Sequence, residues 1–150
     1  MTDDTLSPGQ ARDLRCLAAA IIPASAAYGV PGADDETIFA DILASLGRDR
    51  DDVRTALDGL ATLSGGSFAD LAAARRAEVA ATLCAEGGGP LAALVRVVLL
   101  CYYRDDRVMR SLGQEPRPPF PKGHVVEQGD WSLLDPVRAR EPIWRRVDRV

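Results

Sequence analysis

The groups able to do chemistry in this chain are few. They are one His at 124, three Cys at 16, 84 and 101, and several pairs of adjacent carboxylates. A general base or axial ligand at His124 would need a carboxylate or Cys partner at a meaningful spacing. His124 instead stands in a Pro- and Gly-rich stretch with no such partner, so it reads as a structural or solvent-facing residue. The three cysteines form no CxxC and no zinc-finger spacing, and an odd number leaves one thiol outside any disulfide framework. They read as reduced core thiols that pack like small hydrophobes. The pairs Asp34-Asp35, Asp51-Asp52 and Asp105-Asp106 invite a metal or an acid/base reading. Each stands where a helix should begin, so capping is the simpler role. The chain has no Walker-type loop, no GxGxxG, no HExxH and no GxSxG. Gly87-Gly88-Gly89 follows no strand and reads as a helix break rather than a phosphate cradle. No catalytic, cofactor-binding or metal-binding residue is assigned, and no cofactor is expected in this chain.

These groups must be carried by some frame. With 150 residues, 47% of them hydrophobic and 27% charged, the chain can close one soluble core. Eighteen basic residues against 22 acidic ones give a net charge of −4, which argues against nucleic acid as a partner. Residues 91–103 are the longest apolar stretch, interrupted by Arg96, and are too short to span a bilayer. Direct membrane insertion is not expected. The N-terminal MTDDTLSPGQ is acidic and lacks a basic region or an arginine pair, so no leader is expected.

The chain is rich in Ala and Leu, which favours helix, and the fold class expected is all-α, a small bundle of five to six helices. Ser7-Pro8 opens a first helix with Leu14, Leu17, Ala18 and Ile21 on one face, and Pro23 ends it. Asp34, Asp35 and Glu36 open a second, with Ile38, Phe39, Ile42, Leu43 and Leu46 inward and Gly47 as its stop. A third covers residues 49–63, with Val53, Leu57, Leu60 and Ala61 inward. A fourth runs over 72–86, with Val79 and Leu83 inward and Arg75, Arg76 and Glu78 towards solvent. Residues 91–103 are apolar nearly all round and should form the central helix. A short sixth helix fits 106–112.

The character changes after Gly113. Residues 114–150 hold six of the ten Pro, both Trp and the single His. Two regions follow, a helical bundle over 1–113 and an extended C-terminal arm over 114–150 that docks on a partner. Phe120, Trp131, Leu134 and Trp144 are its expected anchors, since large apolar side chains dominate binding energy. Tyr102, Tyr103 and Arg107 close the central helix and open the next with aromatic and alternating charged groups, which suits an interface.

Two stretches carry a family resemblance. The first is Ala20-Ile21-Ile22-Pro23, then Tyr28-Gly29-Val30-Pro31-Gly32-Ala33 and Phe39-Ala40-Asp41. The second is Tyr102-Tyr103, Val108, Leu112-Gly113 and Pro118-Pro119-Phe120-Pro121. In order and spacing they resemble the opening and close of the gluconate 2-dehydrogenase subunit 3 family. The resemblance implies a non-catalytic small subunit of a heteromeric dehydrogenase. Its partner would be a large glucose-methanol-choline-type (GMC-type) flavoprotein that carries FAD and oxidises a sugar, sugar acid or alcohol. The small subunit would stabilise that partner and help it fold. The alternatives are a transient folding or export chaperone for the same flavoprotein, and, behind it, a stand-alone enzyme using His124 or a Cys. The family's twin-arginine leader is not matched here. The expected location is therefore cytoplasmic, or periplasmic where a leader has been removed or the partner carries the export signal.

Overall fold

Ser7 Oγ accepts a hydrogen bond from the Gln10 N–H, and the Ser7 N–H in turn donates to the Gln10 side-chain oxygen. This reciprocal cap, with Pro8 in the first turn, starts α1 (Pro8–Ile21). Asp35 caps α2 (Glu36–Ala44) through the N–H groups of Thr37 and Ile38. Asp51 and Asp52 lie in the first turn of α3 (Arg50–Ser64), where their charge complements the helix dipole. Gly65, at φ 69°, ends α3 in the left-handed conformation that favours glycine. Next come α4 (Ala73–Glu86), α5 (Gly89–Tyr103) and α6 (Asp106–Ser111), the last capped by Asp105. Between α4 and α5 the chain turns by 116°, through Gly87 and Gly88 at φ 65° and 102°. A single turn of helix, α7 (Asp135–Arg138), follows later in the chain.

The computed structural model describes residues 5–118, 123 and 127–141. Among these the chain is all-α, with seven α-helices, no strand and one isolated antiparallel bridge between Ser25 and Val30. It divides into two units, Met1–Pro116 and Arg117–Val150. The first holds α1–α6 and the core. It continues past Gly113 because the Gln114 N–H donates to Met109 O, which ties the chain back onto α6. In the second unit α7 is preceded by a short 3-10 turn, Trp131–Leu134.

Helix α5 is central, as its composition predicts, and packs chiefly against α3 and then α2. Leu91, Leu94, Val97, Val98 and Cys101 form its buried face. They meet Val53, Leu57 and Leu60 of α3 and Ile38 and Ile42 of α2 in one contiguous core. Two expectations need correction. The opposite side of α5 is apolar but not buried: Leu99, Leu100 and Tyr103 are exposed. Of the three cysteines, only Cys101 is in the core, and its burial pushes the thiol pKa up. Cys16 is half-buried, and Cys84 is exposed because Val79 and Leu83 define the inner face of α4. All three are free thiols.

A polar contact that no periodicity announced closes the gap between α3 and α4. Asp13 of α1 is buried, at 7% exposure. Its Oδ1 accepts from Ser67 Oγ at 2.7 Å and from the Ala69 N–H at 2.9 Å. The turn Phe68–Asp70 is thereby pinned to α1, and Phe68 is fully buried. A buried carboxylate is tolerated only when hydrogen-bonded in this way.

Leu94 and Val98 lie at the centre of the α5 face. Leu94→Asp or Val98→Asp should therefore unfold the first unit, because an unpaired buried carboxylate costs several kcal/mol against a total of about 5–15. Thermal melts followed by far-ultraviolet circular dichroism check this; a wild-type melting temperature in either variant would remove α5 from the core.

Candidate functional site

The end of α5 and the start of α6 bring together the two stretches picked out in the sequence. Tyr102 and Tyr103 are adjacent, and so point about 100° apart around the helix. Tyr102 turns inward, at 4% exposure, and its hydroxyl donates to Pro31 O at 3.1 Å. It is a core residue and offers no surface to a partner. Tyr103 turns outward, at 53% exposure, with its ring edge-on to Tyr102 at 5.3 Å between centroids. Tyr103 lies four residues after the exposed Leu99, and Leu99 four after the half-buried Val95, so the three share one stripe. Leu100 stands beside them at 60% exposure.

Arginines fix this end of α5 in place. Arg104 forks onto Asp41 of α2, with Nε 2.6 Å from Oδ2, and also donates to Ser45 Oγ. Arg107, expected at an interface, is instead committed within the chain. Its Nη2 lies 2.7 Å from Asp35 Oδ1, and its Nε and Nη2 each lie 3.0 Å from Asp105. One guanidinium thus joins the cap residues of α2 and α6. Hydrogen bonding to Arg107 holds the Asp35 and Asp105 carboxyls below the usual carboxylate range. The Pro31-Gly32-Ala33 turn is built equally tightly. A Cβ on Gly32 would meet the Ala24 backbone nitrogen at 2.9 Å and the Asp34 carboxylate, so only glycine fits. Ala33 beside it is fully buried.

In the second unit, Trp131 and Leu134 lie on the Trp131–Leu134 turn, capped by Asp130 through the Ser132 N–H. Both are exposed, as are Leu133 and Val137. Phe120, Trp144 and His124 lie outside the described residues. Among the described residues no group of three His, Cys, Asp or Glu is placed to hold a metal ion, and no single helix is long and apolar enough to cross a membrane. Sequence reading missed Leu99 and Leu100, although Arg96, three and four positions before them, marks that side of an otherwise apolar helix as the one open to water.

Compared with protein-family models, curated proteins and solved structures, the chain matches none of them.

The Arg107 clamp makes a pH prediction. The folded-state pKa values of Asp35 and Asp105 are depressed, so their stabilisation is present above the unfolded value of about 4 and is lost as pH falls below it. Arg107→Gln should destabilise the chain by about 1 kcal/mol at neutral pH, given the partial exposure of the cluster. Urea midpoints measured from about pH 6 down to about pH 2 should show the gap between variant and wild type closing in acid.

Proposed function

We propose that this chain is a non-catalytic small subunit that stabilises a large FAD-dependent, GMC-type dehydrogenase and helps it fold. The observation that carries this reading is the exposed apolar side of α5, formed by Leu99, Leu100 and Tyr103. A stripe of large apolar side chains on a helix that is otherwise the centre of a closed core is the usual mark of a surface meant to be covered. The sequence resemblance names the class of protein that would cover it. Its two stretches meet at Tyr102–Pro31, and Arg104–Asp41 and Arg107–Asp35 hold the same end of α5. On this reading the motif residues hold the docking surface rigid and do no chemistry themselves.

Trp131, Leu133, Leu134 and Val137 supply a second set of exposed apolar groups in the C-terminal unit, suited to the same partner. FAD and the reacting groups would belong to the partner.

Co-expression with a large FAD-binding protein encoded beside this chain tests the reading. Leu100→Asp combined with Tyr103→Ser should leave the melting temperature within a few degrees of wild type. It should lower recovery of the flavoprotein in a tagged pull-down by about tenfold or more, as expected for loss of central apolar anchors. Trp131→Ala with Leu134→Ala should act in the same direction. A stable complex on size exclusion identifies a resident subunit. Restored flavoprotein activity without a lasting complex identifies the chaperone instead, and recovery unaffected by both variants removes the proposal.

A further inference from the structure

A second feature lies away from this surface and does not depend on the docking reading. Helices α1 and α4 diverge around a groove of about 620 Å³, within the range of about 300–1,000 Å³ usual for small-molecule sites. Its walls are short: Ala19 and Ala20 from α1 face Ala73 and Ala77 from α4, with Phe68 contributing to the lining. Set into these apolar walls are three arginines, Arg12, Arg15 and Arg76, against a single carboxylate, Asp34. That is a local excess of positive charge in a chain whose net charge is −4.

The three guanidiniums differ in how they are satisfied. Arg12 is neutralised by Asp70, at 2.9 Å, and also donates to Ser67. Arg15 donates its Nε to the Asp34 backbone oxygen at 2.9 Å and lies over the Phe39 ring at 5.5 Å. Arg76 is half-buried and places Nη1 3.7 Å from Cys16 Sγ. Among the described residues neither Arg15 nor Arg76 has a carboxylate within ion-pair distance. Elsewhere in the first unit, arginines of comparable setting find acidic partners, as Arg96 does at Asp49 and Arg104 at Asp41. Arg15 is exposed, so desolvation bears on the half-buried Arg76, where a guanidinium without a counter-ion is unfavourable; the planar fork of each suits a carboxylate.

We propose that the α1–α4 groove binds a small aliphatic carboxylate, with its anionic end on Arg15 and Arg76 and its hydrocarbon body along the alanine walls. The charge selects the carboxylate. The alanine walls and Phe68 suit a hydrocarbon body alongside the charged end. Cys16 lines the same groove and reports on its occupancy, because a bound chain would cover the Sγ.

The test uses the full chain carrying Cys84→Ser, so that Cys16 is the one accessible thiol while Cys101 stays buried. Alkylation of Cys16 by N-ethylmaleimide is followed by mass spectrometry with octanoate, octan-1-ol or inorganic phosphate present. Octanoate is expected to slow alkylation in a saturable way, and the other two to leave it unchanged. Within each variant, protection is taken relative to the same variant without ligand, since Arg76 itself touches the thiol. Arg15→Gln with Arg76→Gln should raise the half-protecting octanoate concentration about tenfold or more, whereas Arg76→Lys should retain most of the protection. Calorimetric titration with octanoate should show the same order, and circular dichroism checks that each variant is folded. Equal protection by octanol would mean that charge is not recognised. Equal protection by phosphate would mean that the hydrocarbon body is not. Either result, or no protection by octanoate, overturns the proposal.

Discussion

Helix α5 carries apolar side chains around nearly its whole circumference, yet its neighbours lie on one side of it. Burying Leu94, Val97, Val98 and Cys101 against α3 and α2 therefore leaves Leu99, Leu100 and Tyr103 facing water. Each large apolar side chain kept from burial forgoes about 1.5–3 kcal/mol. A fold that needed α5 only as a core element would lose nothing by placing polar groups at those three positions. The core and the proposed docking surface are thus two sides of one helix, and neither can shift without moving the other.

The ion pairs around the end of α5 take their meaning from this arrangement. Arg104 and Arg107 reach back to α2, and Tyr102 reaches the turn before it. Exposed pairs taken singly contribute little, about 0.2–1 kcal/mol each. Here they form a connected set across three helices, with Arg107 shared between two capping carboxylates. Their effect is positional: they fix the angle at which α5 presents Tyr103. Asp13 has the same effect at the other side of the bundle, holding the Phe68–Asp70 turn on α1. Of the carboxylates singled out in the sequence, Asp35 and Asp105 cap helices and share Arg107.

The groove between α1 and α4 follows from the small residues along it. Alanines keep the two helices from filling the space between them, and arginines on both helices then lie at its rim. Arg76 was expected in solvent because α4 has its inner face at Val79 and Leu83. It is half-buried because α1 approaches that flank of α4.

The sequence alone determined what local rules control. Ser7, Asp35, Asp105, Gly65 and Gly87 mark helix ends through groups within a few residues of the backbone they satisfy. The inward faces of α1–α4 were legible for the same reason, since the 3.6-residue period is a local property. Tertiary structure alone decided how much of the apolar surface flanking Arg96 on α5 stays exposed, and which of two neighbouring tyrosines is buried. It also decided that Arg107 pairs with Asp35, 72 positions away, and that Asp13 meets Ser67, 54 positions away. Such pairings leave no periodic trace, because they depend on where whole helices are set against one another. That placement is fixed by the packing of the entire core and not by any segment of it.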